Sequence, residues 1–350
     1  MRIVVGMSGG VDSSVVAAKL VEEGHDVIGL MLRLWSEPSC KDNRCCAPEA
    51  VEQARMIAGD LGIPFYVLDY KQQFKEAIVD PFVQTYLAGE TPNPCVLCNQ
   101  KIRFGAMMDE ALKLGADRLA TGHYAQLIEH EAAFELHKGA DSTKDQSYVL
   151  YRLSQAQLRR CLFPLGGINK TQTRELAAKY GLEVASKPDS QDLCFVGEDG
   201  YRGFLGRATS GLIKPGKFVD TDGNILGDHH GLPFYTVGQR RGLGISFPQP
   251  MYVLALDSDQ NQVVLGKTAQ RFTQKVVVSD LLFQQDPEPF WGKEISARIR
   301  YNSSESLATI QSHADGAELI FNEPVADVTP GQAAVFYHQD MVIGGGKIKE

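Results

Sequence analysis

The opening residues, RIVVGMSGGVDSSVVAAKL, constrain the fold of this chain more than any other stretch. A β-branched run breaks on glycines, and Val11, Val15 and Ala18 then recur at helical spacing until Gly24 ends the pattern. DVIGLML repeats the strand texture. APEAVEQARMIAGDLG follows as a helix with Pro48 near its first position and Val51, Ala54, Ala58 and Leu61 on one face. PFYVLDY and LGADRLATGHY supply two more strands. Strands alternating with helices of this length predict an α/β fold whose parallel sheet is covered on both faces, with ligands at the carboxyl ends of the strands.

From about residue 205 the texture changes to glycines, prolines and short β-branched runs. KFVDTDGNILG reads as a hairpin around Asp222-Gly223, and MYVLALDSDQNQVVLG as a second strand pair. EISARIRY, GAELIFNEPVADVTPGQAAVFYH and MVIGGGKI suggest a closing β-barrel. The expected domains are residues 1–200, a small β-rich central domain over 201–270, and a carboxyl-terminal β-barrel over 271–350. A chain of 350 residues, 43% of them hydrophobic, has the apolar material for such cores.

The amino terminus is unlike a signal peptide, and no stretch approaches the roughly 18 apolar residues of a membrane span. The expectation is a cytoplasmic protein. Seven cysteines, an odd number, then point to metal binding or catalysis rather than structural disulfides. A formal charge of -8 argues against a non-specific nucleic-acid coat but leaves room for local basic patches.

The turn GMSGGVDSS presents backbone N–H groups and a helix amino terminus, which together favour a phosphate. It is not a Walker loop, since Asp12 stands where lysine would precede the serine, and its glycine spacing is not that of a dinucleotide fingerprint. Asp12 beside Ser8, Ser13 and Ser14 suits a Mg2+ ion bridging to a polyphosphate. The same residues suit a glycine turn closed by a helix cap, and local chemistry alone leaves both readings open. The string SGGVDSS resembles the PP-loop of the ATP pyrophosphatases, which cleave ATP between its α and β phosphates to adenylate a carbonyl oxygen. That resemblance implies ATP binding by Gly6, Met7, Ser8, Gly9, Gly10, Val11, Asp12 and Ser13, with Leu32 and Gly122 on the adenine side.

Cys95 and Cys98 form a Cys-x-x-Cys pair in TPNPCVLCNQK, and Cys194 lies in SKPDSQDLCFVGE. A tetrahedral zinc site usually draws two close pairs, and only one pair here has that spacing. Three thiols with an open fourth position suit a substrate-binding iron–sulfur cluster, whereas two suffice for persulfide transfer. Cys161, in RRCLFPL, reads as a small core hydrophobe, and Cys40, Cys45 and Cys46 have no assigned role.

With these residues in view, the chain resembles the bacterial tRNA-specific 2-thiouridylases along nearly its whole length. The matching blocks are GMSGGVDSS, AGETPNPCVLCNQKIRFG, ATGHYAQL, DSTKDQSYVLY, DSQDLCFVGE, HHGLPFYTVGQRRGLGI and VTPGQAAVFY. The resemblance implies a PP-loop domain that adenylates C2 of wobble uridine 34 in the tRNAs for Lys, Glu and Gln and then replaces the oxygen with sulfur. It assigns catalysis to Asp12, Cys98 and Cys194, with Cys194 taking a persulfide from a sulfur-donor protein; since these roles need a thiolate, nearby Lys187 or the geometry of bound nucleic acid is the expected tuner of the thiol. It assigns tRNA contact to Asn93, Pro94, Cys95, His123, Lys144, Asp145, Gln146, Arg300, Tyr301 and Gln332. Cys95 departs from the family pattern, where many relatives carry an acidic residue. The third thiol favours a [4Fe-4S] cluster on Cys95, Cys98 and Cys194, with the persulfide route as the rival.

For an acidic protein to hold tRNA, the acid-free runs Tyr201 to Phe218 and Phe234 to Leu256, with Arg202, Arg207, Lys214, Lys217, Arg240 and Arg241, are the expected phosphate contacts. His123 also suits a buried strand-end position. Two other functions remain: a ligase of the same superfamily adenylating a small molecule for attack by an amine, and a non-catalytic RNA-binding protein with a structural metal.

Overall fold

The computed structural model describes residues 1–37, 48–130, 133–186, 193–197 and 199–349. Cys40, Cys45, Cys46 and Lys187 therefore lie outside the described residues. The chain divides into two compact units, one of Met1–Val79, Cys95–Glu198 and Asp340–Val342, the other of Asp80–Pro94, Asp199–Gln339 and Ile343–Glu350.

The first unit is built on a parallel sheet of β1 (Arg2–Gly6), β2 (Asp26–Arg33), β3 (Phe65–Asp69), β4 (Arg118–Ala120) and β7 (Cys161–Leu162), in the order β3-β2-β1-β4-β7. β1 is central, and its Ile3, Val4 and Val5 are wholly buried. Burial on both faces explains why its sequence runs apolar without alternation, and each such side chain stabilises by about 1.5–3 kcal/mol. Edge strand β3 is half exposed, with Tyr66 46% accessible. Helices α1 (Val11–Glu22) and α2 (Pro48–Asp60) pack Val11, Val15, Val16, Leu20, Ala54, Ile57 and Ala58 into one core with β1 and β2.

An antiparallel hairpin of β5 (Ala125–Glu129) and β6 (Phe134–Lys138) adds to this unit, an element that the strand texture around residue 120 does not separate. Cys161 is fully buried in β7, where burial pushes its thiol far above the ordinary range and its Sγ donates to the Gln157 carbonyl at 3.1 Å. A core role suits it.

In the second unit, β8 (Gly216–Val219), β9 (Ile225–His229), β10 (Met251–Asp257) and β11 (Gln262–Lys267) form a sheet in the order β10-β11-β8-β9. The β8–β9 hairpin turns at Gly223, whose φ of 85° belongs to glycine, as the Asp222-Gly223 pair predicts. Phe218, Leu232, Tyr235, Val253, Val263 and Leu265 fill this small core. Six strands then close a barrel: β12 (Phe272–Phe283), β13 (Glu294–Arg298), β14 (Ser306–His313), β15 (Gly316–Ala326), β16 (Ala333–His338) and β17 (Met341–Ile348), in the order β12-β15-β14-β13-β16-β17 with β12 pairing back onto β17. Closure removes the exposed edges. Asp80–Pro94 packs here too, with Phe82 tilted against Phe204 and Tyr86 stacked on Tyr201. Among the described residues no helix is long and apolar enough to cross a membrane.

Candidate functional site

β1 and β4 are neighbours at the point where the strand order reverses, which is where parallel α/β sheets open a crevice for ligands. The turn from Gly6 to Ser13 leaves β1 there, and Thr121–Tyr124 leaves β4. The two loops touch so closely that a Cβ on Gly122 would lie 2.8 Å from the Asp12 Cβ and 3.1 Å from the Ser13 nitrogen. Gly9 has φ +70°, and a Cβ on it would meet the Ala50 carbonyl oxygen at 2.6 Å. These two positions tolerate only glycine.

α1 begins at Gly10, which offers no side-chain cap to the first-turn N–H groups. An uncapped helix amino terminus is an anion site. The hydroxyls stay within the turn: the Ser8 N–H donates to Ser13 Oγ at 3.2 Å, and Ser14 Oγ donates to the Gly10 carbonyl at 2.8 Å. Met7, within the turn, and Leu32, near the carboxyl end of β2, are buried.

Asp12 is the hub. Lys170 Nζ lies 2.7 and 2.9 Å from its two carboxylate oxygens, and the Tyr124 hydroxyl donates to Oδ1 at 2.8 Å. The same Tyr124 oxygen is 2.9 Å from Thr173 Oγ1. Lys170 opens the helix Lys170–Lys179, fixed by an Asn169–Gln172 capping box, and its own N–H donates to Asp141 Oδ2 at 3.0 Å. The Thr143 hydroxyl and this Lys170 N–H hold the Asp141 carboxyl below the usual range. Neither Lys170 nor Tyr124 stands out in the sequence; the only local signal is the missing lysine in the turn itself.

Several residues expected at tRNA are committed within the fold. Gln146 Oε1 accepts from the Tyr124 N–H at 3.0 Å, and the Gln146 N–H donates to the Tyr124 carbonyl at 2.9 Å. Buried Asp145 accepts from the N–H groups of Gly139 and Ser147, each at 3.0 Å, and from the Ser147 hydroxyl at 2.9 Å. The block KDQSY thus frames Tyr124, while Lys144 is half-buried beside it. His123 is buried, with Nδ1 2.8 Å from Thr121 Oγ1 and its ring clustered with those of Phe104 and Phe163. Burial, aided by the Arg103 charge, pushes its pKa down to about 3, so the imidazole is neutral.

Cys95 and Cys98 sit one turn apart on the short helix Pro94–Cys98, Cys95 exposed and Cys98 half-buried, with Val96 buried between them. The chain continues as a π-helical run, Asn99–Ala106. Cys194 is half-buried next to Phe195, whose ring packs edge-on against Phe74 at 5.9 Å. Among the described residues no three His, Cys, Asp or Glu side chains gather around a common metal position. Cys95, Cys98 and Cys194 do not form the ligand set that a [4Fe-4S] cluster requires in this arrangement. A Mg2+ ion fits better, since it commonly uses one carboxylate plus phosphate oxygens and waters, and Asp12 supplies that carboxylate beside the turn.

In the second unit, Gln332 Nε2 donates to the carbonyls of Thr91 and Pro92 at 3.1 and 3.0 Å, clamping the stretch of chain that leads through Asn93 to Pro94. Arg300 Nη2 donates to the Val237 carbonyl at 2.8 Å and to the Asp327 carbonyl at 2.6 Å, and bonds Thr329 as well. Tyr301 beside it is 41% exposed. The acid-free basic runs are partly neutralised from elsewhere: Arg207 pairs with Asp199 and Lys217 with Asp228. Lys214, Arg240 and Arg241 are exposed and have no ion-pair partner among the described residues.

Three domain families cover the chain: tRNA methyl transferase HUP domain over residues 1–198, tRNA methyl transferase PRC-barrel domain over 203–267, and aminomethyltransferase β-barrel domain over 273–348. A tRNA-specific 2-thiouridylase from Heliobacterium modesticaldum is 47% identical, covering 99% of this chain and 92% of its own. Those of Carboxydothermus hydrogenoformans and Magnetococcus marinus are 45% and 46% identical, covering 100% and 99% of this chain and 98% of each relative.

Proposed function

Because the chain belongs to the tRNA-specific 2-thiouridylase family, and so is an ATP-using tRNA-uridine 2-sulfurtransferase, we propose that it adenylates C2 of wobble uridine 34 in the tRNAs for Lys, Glu and Gln. The observation that carries this reading is the meeting of an uncapped, glycine-lined helix amino terminus with a carboxylate, Asp12, at the switch point of the sheet. The polyphosphate of ATP lies against the turn, and the uridine O2 attacks the α-phosphate in line. Asp12 would hold a Mg2+ ion, which would supply charge neutralisation for the departing pyrophosphate. No covalent nucleophile is needed for this half-reaction.

Sulfur then arrives as a persulfide. The Cys194 thiolate takes the terminal sulfur of a donor persulfide, and the donor thiolate leaves. That sulfur attacks C2 of the adenylated base, a C–S bond forms, and the C–O bond to AMP breaks. Cys98 attacks the Cys194 sulfur, releasing the transferred atom and leaving a disulfide, which an external dithiol reduces. No step is routed through an iron–sulfur cluster, because the three thiols do not gather. The wobble base leaves its stack to reach the chemistry, with Cys95 beside it, and Asn93, Pro94 and Tyr301 of the second unit are further tRNA contacts. Lys214, Arg240 and Arg241 meet backbone phosphates, and His123, being neutral, orients the loop after β4 rather than neutralising phosphate.

Incubating the protein with ATP, Mg2+, a persulfide-charged donor and unmodified tRNA, then digesting the tRNA, should reveal 2-thiouridine at position 34 by mass spectrometry. Cys98→Ala and Cys194→Ala should abolish it while tRNA-dependent AMP formation persists. Thiolation that survives in either variant, or anaerobic protein holding stoichiometric iron and sulfide, would remove the persulfide route.

A further inference from the structure

The glycine turn carries no cation of its own, since Asp12 occupies the place where a Walker loop has lysine. Folding supplies one from 158 positions downstream, with the Lys170 ammonium on both Asp12 oxygens at 2.7 and 2.9 Å. The simplest alternative is an ion pair that merely ties two helices together. The placement of Lys170 argues otherwise. It is the first residue of a ten-residue helix, where a positive side chain opposes the helix dipole. Its ammonium lies beside the first turn of α1, where an uncapped helix end already concentrates positive potential. A polyphosphate matches the positive potential gathered where these two helix ends meet.

The stem is also fixed in advance. The capping box and the bond from the Lys170 N–H to Asp141 hold the backbone, and the side chain is only 12% exposed, with its ammonium 5.7 Å from the centre of the Tyr124 ring. Little ordering remains to be done when an anion arrives.

We infer that Lys170 is the phosphate cation of this site, held ready by Asp12 and turned onto the pyrophosphate end of ATP when the nucleotide binds. This rests on the adenylation reading above. As the bond from uridine O2 to the α-phosphorus forms, the bond to the β-phosphate oxygen breaks and its electron pair stays on the pyrophosphate. The Lys170 ammonium faces that growing charge, and Asp12, no longer paired with it, would be available to hold a Mg2+ ion.

The test is equilibrium binding of ATP, inorganic pyrophosphate and AMP to wild-type protein and to Lys170→Ala, Lys170→Gln and Lys170→Arg, in Mg2+ and without tRNA. Removing a charge-assisted hydrogen bond should weaken ATP and pyrophosphate about 10- to 100-fold in the Ala and Gln variants. AMP affinity should stay within about twofold, and Arg should recover most of the deficit. Unchanged ATP and pyrophosphate affinity, or an equal weakening for AMP, would overturn the inference, the second outcome marking a structural ion pair. If the Ala variant fails to fold, the Gln variant, which can still hydrogen-bond Asp12, decides. An error in the adenylation reading would show separately, as wild-type protein that forms no AMP when tRNA is added yet still binds pyrophosphate through Lys170.

Discussion

Tyr124 and His123 are adjacent in sequence and opposite in role. The Tyr124 hydroxyl bonds Asp12 while its ring is buried, so Tyr124→Phe keeps the packing and removes one charge-assisted hydrogen bond. Urea unfolding should show a loss of about 1–2 kcal/mol, and ATP should bind several-fold more weakly. His123 instead titrates on unfolding. Its folded pKa of about 3 lies below the ordinary 6.5, so between these values the unfolded chain holds a proton that the folded chain lacks. Stability is therefore fully present above about pH 6.5 and falls as the pH drops toward 3, by up to about 1.4 kcal/mol per pH unit. His229, also depressed chiefly by burial, adds in the same direction. The acid limb of unfolding measured from pH 7 to 4.5 should be shallower in His123→Leu than in wild type, and equal slopes would count against a neutral buried imidazole.

At the scale of elements, the turn between β1 and α1 was readable because its chemistry is local: a β-branched strand, three glycines and a helical repeat lie within one short string. Gly9→Ala places a methyl group 2.6 Å from the Ala50 carbonyl at φ +70° and should abolish ATP binding. Gly24→Ala shares a positive φ of 79° but meets nothing within 4 Å, so it should cost only about 1 kcal/mol and leave ATP affinity unchanged. Comparing the two by ligand binding and thermal unfolding separates crowding at the site from backbone strain. The β5–β6 hairpin was not readable, since its charged residues hide the alternation and no Asn-Gly or Asp-Gly pair marks its turn. Lys170 was hidden for a different reason. Its partner is 158 residues away, and no local pattern announces an interaction of that range.

For the molecule as a whole, a formal charge of -8 means that tRNA must be held by local cations. Runs without acids looked uniformly basic in sequence, yet Asp199 and Asp228, which lie just outside them, neutralise Arg207 and Lys217 over 8 and 11 residues, through the start of one helix and the register of the β8–β9 hairpin. Arg240 and Arg241 keep their charge for phosphates. Arg240→Ala with Arg241→Ala should weaken tRNA binding and lower the slope of log affinity against log salt by about one for each phosphate no longer neutralised. A salt slope that does not change would place the tRNA elsewhere. The barrel and the parallel sheet were legible from period and texture. Gln332, by contrast, reaches the carbonyls of Thr91 and Pro92 from 241 and 240 residues away, which makes its role a property of the folded chain alone.

The wide separation of Asp12 from Tyr124 and Lys170 also bears on synthesis. A nascent chain emerging from the ribosome shows its glycine turn early, yet the hydroxyl and ammonium that complete it emerge more than a hundred residues later. Translation therefore delivers the nucleotide-handling end of the enzyme as a late event, and a polypeptide arrested before Lys170 would carry the signature string without the means to use it.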